Sequence, residues 1–328
     1  MTKQRLLLVN TEDIFLKCGG DRISLGSLYI AAYVRQQGAG EVGVMDMNHH
    51  SPADLVQRIK DFKPDFVGIS MTTPQYKEGK RLAYGIKAAF PNIPLMAGGP
   101  HVTAVNGDVD PVFNIVALGE CEKAVADFLS YHLTSFDKRL VLRGEAPLGL
   151  DKTLDWLPMP ARDLVDMKRY SLTIAGLPAA TVMTQRGCPF SCVFCSEPVL
   201  NKTFKGHSVE YTVREMEHVR DTYGAKALII YDDVFVLSWQ RTEALCKAMI
   251  ERRVGLKYRA TTRAHDIIRR PQLVDLLRES GCVELCLGVE SGSDEVLKIS
   301  DKGMDVKTNE AAIKRIKAGG VRVLSYLI

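Results

Sequence analysis

Charge of one sign is scarce in this chain: 43 lysines and arginines stand against 39 aspartates and glutamates over 328 residues, a formal net charge of +4. So small and evenly spread an excess gives no electrostatic case for a nucleic-acid partner or an anionic membrane surface. Long apolar runs are missing from the amino terminus too, where Leu6-Leu7-Leu8-Val9 is the whole run. That is too short for a signal-peptide core or a membrane span, so the chain is expected to be cytoplasmic. Its eight cysteines then sit in a reducing compartment and read as metal ligands and core thiols, not disulfides. With 46% hydrophobic and 25% charged residues, the composition is that of a globular protein long enough for two domains.

What is present is concentrated sulfur. Cys188, Cys192 and Cys195 share one loop in the spacing Cys-x3-Cys-x2-Cys, with no obvious fourth cysteine. A cubane iron–sulfur cluster takes four thiolates, so three leave one iron open to something that is not protein. Two plainer readings stand beside this one. A structural zinc site would need a further ligand, for which His207 is the nearby candidate, and free cysteines pack well as small buried hydrophobes. The spacing, with Phe194 just before the last cysteine and a strand-like Ala180 to Thr184 leading in, resembles the signature of the radical S-adenosylmethionine (SAM) enzymes. That resemblance implies a 4Fe–4S cluster whose open iron chelates the amino and carboxylate groups of SAM, with Phe194 offering an apolar face near the adenine. It also implies a 5′-deoxyadenosyl radical and an electron donor such as flavodoxin or ferredoxin.

Residues 1–132 alternate strand and helix patterns at βα spacing. Five parallel strands are expected, at Leu6 to Val9, Val42 to Met45, Phe66 to Ser70, Ile93 to Ala97 and Asn114 to Leu118, in a flavodoxin-like, doubly wound layout. Ligands of such sheets sit beyond the carboxyl ends of the strands. Here those ends carry Ser70 and Thr72, Gly98 and Gly99, and Gly119 and Glu120. Together with Leu25-Gly26 at the start of the first helix, these segments resemble the cobalamin-binding domain that precedes the barrel in one large class of radical SAM enzymes. The resemblance implies that Leu25, Gly26, Ser70, Thr72, Gly98, Gly99, Gly119 and Glu120 line a corrinoid site. The Asp-x-His-x-x-Gly segment that supplies a lower cobalt ligand in methionine-synthase-type domains does not follow the first strand. His49 and His50 come after the second strand and read as solvent-exposed loop histidines.

The stretch 133–175 reads as a linker, and 176–328 resembles a partial (βα) radical SAM barrel, with strands at Thr181 to Thr184, Ala227 to Tyr231, Tyr258 to Thr262, Val283 to Val289 and Val321 to Ile328. By the same resemblance Asp232 and Asp233 lie where the family meets the SAM amino group, although a solvated strand end accounts for them equally well. Arg263 is placed to pair with the SAM carboxylate, or to make a structural ion pair. Glu290 and Ser291 would accept hydrogen bonds from the ribose. Cys282 and Cys286 fall on one face of their strand and read as core thiols. The pattern predicts a barrel truncated in strand five, a fragment without a substrate domain.

Those implications converge on a cobalamin-dependent radical SAM methyltransferase that methylates an unactivated carbon of a small-molecule substrate. An oxidative cyclase or ring-rearranging enzyme with the same cofactors is the alternative, and a non-catalytic corrinoid or SAM binder a third. Methylthiotransferases are disfavoured, because only Cys18 and Cys121 are available in the first domain and three further cysteines are needed.

Overall fold

The computed structural model describes residues 3–14, 19–131, 138–196, 200 and 202–328. The chain divides into two compact units, Met1–Asp151 with Trp156–Ser171, and Lys152–Asp155 with Leu172–Ile328. Among the described residues, no helix is long and apolar enough to cross a membrane.

The first unit is a six-stranded parallel sheet in the order β2-β1-β3-β4-β5-β6, formed by β1 (Arg5–Asn10), β2 (Glu41–Asp46), β3 (Phe66–Ser70), β4 (Leu95–Gly98), β5 (Ile115–Leu118) and β6 (Leu140–Arg143). Strands such as Leu6 to Val9 are apolar without alternation because both faces of a parallel sheet are covered. Helices α1 (Leu25–Gln37) and α5 (Glu122–Ser130) pack against each other, as do α2 (Pro52–Phe62) and α3 (Tyr76–Ala89), and the short α4 (Pro100–Ala104) lies against β5. Local signals fix the helix ends. Ser51 caps α2 in a reciprocal box with Asp54, followed by Pro52, and Gly38 closes α1 at φ +64. Phe66 and Phe128 meet edge to face at 5.0 Å in the core, and each such buried side chain contributes about 1.5–3 kcal/mol on leaving water.

The layout matches the doubly wound expectation, with one addition. β6 extends the sheet beyond β5 in register Ile115↔Leu140 to Leu118↔Arg143, inside a stretch that reads as irregular. Its burial alternates half-buried with exposed, the mark of an edge strand, and so short an element is hard to see in a proline-rich text. Because β1 lies between β2 and β3, the winding reverses there, and ligands of such sheets bind at that point.

The second unit holds five parallel strands in the order β14-β13-β12-β11-β8, with β7 (Thr173–Ile174) pairing antiparallel to β8 (Leu177–Val182) at its edge. The others are β11 (Ala227–Ile230), β12 (Lys257–Thr262), β13 (Cys282–Glu290) and β14 (Arg322–Leu327). The hairpin turn uses Ala175 and Gly176, both at positive φ, as its tight turn demands. Helices α6 (Val209–Tyr223), α7 (Trp239–Glu251), α8 (Ala264–Arg269), α9 (Leu273–Glu279), α10 (Asp294–Ile299) and α11 (Val306–Ala318) connect them. This is an open array short of the eight strands of a closed βα barrel. Its core joins Val182, Leu228, Tyr258 and Leu285 to Met216, Leu245 and Ile316. Cys282 is buried in it as a core thiol, and Cys286 is also buried on β13, outside that cluster.

Candidate functional site

The cysteine loop leaves the first parallel strand of the second unit at its carboxyl end. Thr184 lies beyond β8, which ends at Val182, because its backbone N–H and hydroxyl are turned to Asp232 instead of a neighbouring strand. A two-residue ladder between β9 (Gln185–Arg186) and β10 (Lys205–Gly206) then closes the neck of the loop. Gly187 turns the chain at φ +87, and Cys195 N–H bonds Cys192 O at 3.0 Å. Cys188 and Cys192 are half-buried and Cys195 is exposed, so the three are not packed as core hydrophobes. Burial pushes the Cys188 thiol up, and Asp233 and Cys195 add to this; the Phe190 N–H and Arg263 oppose it. A metal bound there displaces that proton.

A zinc site would need His207 as its further ligand. Among the described residues, no three Cys, His, Asp or Glu side chains converge tightly enough to hold a single metal ion. His207 is committed elsewhere: it is buried, stacked on Tyr211 at 3.7 Å between centroids, with Asp155 at 3.4 Å, and burial pushes it down to about 3.

Two cation–ring contacts and one backbone hydrogen bond tie this loop to Arg263 at the tip of β12 and to the segment after α10. The Arg263 guanidinium lies 3.4 Å from the centre of the Phe190 ring and donates to Lys302 O. The Lys302 ammonium sits 5.7 Å from the Phe194 ring and forms a buried ion pair with Glu290. Val193 N–H reaches Ser300 O at 3.2 Å. Glu290 holds a left-handed backbone, φ +62, which costs a non-glycine residue about 1–2 kcal/mol and is characteristic of functional sites. Beside it, a Cβ at Gly288 would meet the Lys302 ammonium and the Glu290 carboxylate, the movable ends of both side chains. Ser291 N–H folds back to Val289 O at 2.8 Å.

Cys188, Cys192, Cys195, Phe194, Arg263, Glu290 and Ser291 are therefore gathered at one end of the array. The neighbouring aspartates differ. Asp233 is exposed, whereas Asp232 is buried and accepts from Thr184 N (2.7 Å), Thr184 Oγ1 (2.6 Å) and Gln185 N (3.2 Å). Lys302 and Phe190 carry no signal in the sequence, because lysines mostly face solvent and a lone aromatic has no pattern.

In the first unit the strand tips are built of small residues. Gly99 has φ +96, and a Cβ there would lie 2.8 Å from Met71 O and 3.0 Å from Ser70 Oγ, so it serves the sheet's own close approach. Gly98 has ordinary room, whereas a Cβ at Gly26 or Gly119 (φ +79) would meet nothing within 4 Å. Thr72 donates from N and Oγ1 to Gln75 Oε1, each at 2.9 Å, and Gln75 reaches Thr11 O at 3.0 Å, which ties the tips of β1 and β3 together. Leu25 is buried at the start of α1, and Glu120 is half-buried after β5.

His49 and His50 depart from the expected exposed loop: both are half-buried. The segment after Trp156 folds back on the unit, so that Tyr170 meets His49 edge to face at 4.8 Å and donates to Asp46 at 3.1 Å. A cavity of about 200 Å³ remains between them, lined also by Asp166 and Arg169. Cys121 is buried and pushed up to about 12, and Cys18 lies outside the described residues.

Residues 12–129 match the B12 binding domain family and residues 182–328 the radical SAM superfamily. A protein of Pyrococcus horikoshii named as an uncharacterized methyltransferase is 30% identical over 320 residues, covering 93% of this chain and 68% of that one. The chain belongs to the cobalamin-binding radical SAM family. Membership makes cobalamin, SAM and a 4Fe–4S cluster its cofactors, and the small-residue tips and three-thiolate loop suit them. The anaerobic magnesium-protoporphyrin IX monomethyl ester cyclase of Rubrivivax gelatinosus is 24% identical over 89% of this chain and 56% of its own. The solved structure of the cobalamin-dependent SAM radical enzyme OxsB, with aqua-cobalamin and SAM bound, shares the fold at a TM-score of 0.82 and 19% identity, over 99% of this chain and 49% of that one. This radical SAM chain thus spans about half to two thirds of the length of these relatives.

Proposed function

We propose that this chain carries the cofactor-binding core of a cobalamin-dependent radical SAM methyltransferase acting on an unactivated carbon of a small molecule. The reading is carried by one juxtaposition: a loop with three thiolates and no fourth stands against a strand tip that presents Glu290 and its partner Lys302. When bound, the cofactors supply a 5′-deoxyadenosyl radical and a methyl donor. In this proposal Cys188, Cys192 and Cys195 hold three irons, and Phe194 flanks the adenine. The Glu290 carboxylate and Ser291 hydroxyl accept from the ribose, Arg263 turns its buried, unpartnered Nε toward the SAM carboxylate, and Asp233 meets the amino group. Asp232 acts from behind, fixing Thr184 and Gln185. Leu25, Gly26, Ser70, Thr72, Gly98, Gly99, Gly119 and Glu120 line the corrinoid side. An electron donor such as flavodoxin or ferredoxin and a cytoplasmic location belong to the same proposal.

Methyl transfer is favoured over cyclisation because the methyltransferase-named relative is the more similar of the two and covers more of the chain. Anaerobic reconstitution followed by assays for 5′-deoxyadenosine and S-adenosylhomocysteine separates them. Both products are expected; deoxyadenosine alone would shift the reading to the cyclase-type alternative, and neither would leave a cofactor binder. Cys192→Ala should abolish the deoxyadenosine, and undiminished production would defeat the cluster assignment.

A further inference from the structure

All three cysteines lie on one excursion of the chain between β9 and β10, and both sides of its neck are gripped by one side chain. Arg241 on α7 is only partly exposed, and its guanidinium makes six hydrogen bonds. Nε and Nη2 donate to His207 O on the returning side, at 3.1 and 2.9 Å. Nη2 also reaches Thr184 O on the outgoing side at 2.9 Å and Thr212 Oγ1 at 3.3 Å. Nη1 donates to Thr184 Oγ1 at 3.1 Å and Gln185 Oε1 at 3.2 Å. Gly206 leaves the space for this, since a Cβ there would lie 3.0 Å from Arg241 Nε. Asp232 completes the grip by accepting the backbone N–H groups of Thr184 and Gln185. Among the described residues, the sides also meet through the bond from His207 N–H to Thr184 O and the two-residue ladder of β9 and β10, and so short a pair is marginal by itself.

We propose that Arg241 is a positioning residue for the iron–sulfur cluster, stapling the outgoing and returning sides of the cysteine loop so that its thiolates stay in register and iron is not released. The proposal rests on Cys188, Cys192 and Cys195 being the ligands. It follows from the shape of the donor. A planar guanidinium reaches acceptors on both sides at once, whereas a lysine ammonium is a single point on a flexible stem. With only three protein ligands, the cluster depends on loop closure more than a four-thiolate cluster would.

The test uses the full chain reconstituted anaerobically, as wild type, Arg241→Lys, Arg241→Met and Cys192→Ala. Iron release to a ferrous chelator is followed in time, and the electron paramagnetic resonance spectrum of the reduced cluster is recorded with and without SAM. Cobalamin retention and circular dichroism report whether each variant has folded. Arg241→Lys is expected to take up iron and retain cobalamin, to release iron at least tenfold faster than wild type, and to give an altered spectrum. Arg241→Met should lose iron faster still. Release at the wild-type rate with an unchanged spectrum would overturn the proposal, and Arg241→Lys decides alone if Arg241→Met does not fold. Wild type that takes up no iron, or Cys192→Ala that holds it normally, would instead overturn the ligand assignment and the proposal with it.

Discussion

The two units build their strand tips from opposite materials. In the first, the tips carry Ser70, Thr72, Gly98, Gly99 and Gly119, with open space over Gly26 and Gly119. In the second they carry Arg263, Glu290 and a cysteine loop braced by Phe190, Phe194 and Lys302. The same parallel-sheet architecture thus prepares two kinds of site. Under the proposed function, a large corrinoid would be met by clearing side chains away, whereas a cluster and a zwitterionic nucleoside would be met by placing charges. The first kind should be sensitive to added volume and the second to lost charge.

Removing the Lys302 ammonium is the strongest test of the second half of that contrast. Lys302→Met leaves the Glu290 carboxylate buried without its cation, a loss of about 3–5 kcal/mol when one member of a buried pair is deleted. SAM affinity, measured by equilibrium dialysis on the reconstituted chain, should fall at least tenfold, while cobalamin retention by the first unit stays at the wild-type level. Unchanged SAM binding would mean that the pair is a fold element only, and the comparison between the units would lose its sharper side.

The proton balance of the second unit gives the next effect. Burial raises the Asp232 carboxyl from 3.8 to about 6, a difference worth about 3 kcal/mol. The folded state therefore binds this proton more tightly than the unfolded state. Its contribution to stability is full below pH 3.8 and is lost as pH rises through 6. His207, pushed down to about 3, acts with the opposite sign, destabilising the fold as pH falls below 6.5. The two partly cancel in the wild-type curve. Asp232→Asn removes one of them, so the stability difference between variant and wild type should change by up to about 3 kcal/mol between pH 4 and pH 6 in urea titrations. A difference that stays flat over that window would show Asp232 to be ionised throughout.

Much of both folds was legible because it rests on local signals. The apolar run of β1, the Ser51–Pro52 cap of α2 and the Gly38 stop of α1 all stand where their residue types predict. What escaped depends on contacts distant in sequence. Strand β6 becomes a strand only by pairing with β5, and His49 is covered only because Tyr170 returns to it. In the site, the cysteines are visible by spacing alone. The two aspartates look equivalent as a dipeptide, and only the inward turn of Asp232 onto Thr184 separates their roles. Lys302 is the clearest omission, since its ion pair with Glu290 is set by the loop after α10 and not by any periodicity.

The smallest expected effect tests the other half of the contrast, room without charge. Gly119 and Gly99 are both left-handed, yet their surroundings differ: a Cβ at Gly119 meets nothing within 4 Å, whereas one at Gly99 would press on Met71 O at 2.8 Å. Gly119→Ala should therefore cost only the conformational penalty of about 1–2 kcal/mol. Its effect on cobalamin should appear as weaker retention in a first unit that still folds. Gly99→Ala adds the collision with the backbone of the neighbouring strand, so it should lower the thermal midpoint further whether or not cobalamin is bound. If instead Gly119→Ala binds cobalamin as wild type does, the space above it is not part of the corrinoid cradle. The first unit would then hold its ligand by specific contacts, as the second does, and the division between clearing and charging would fail.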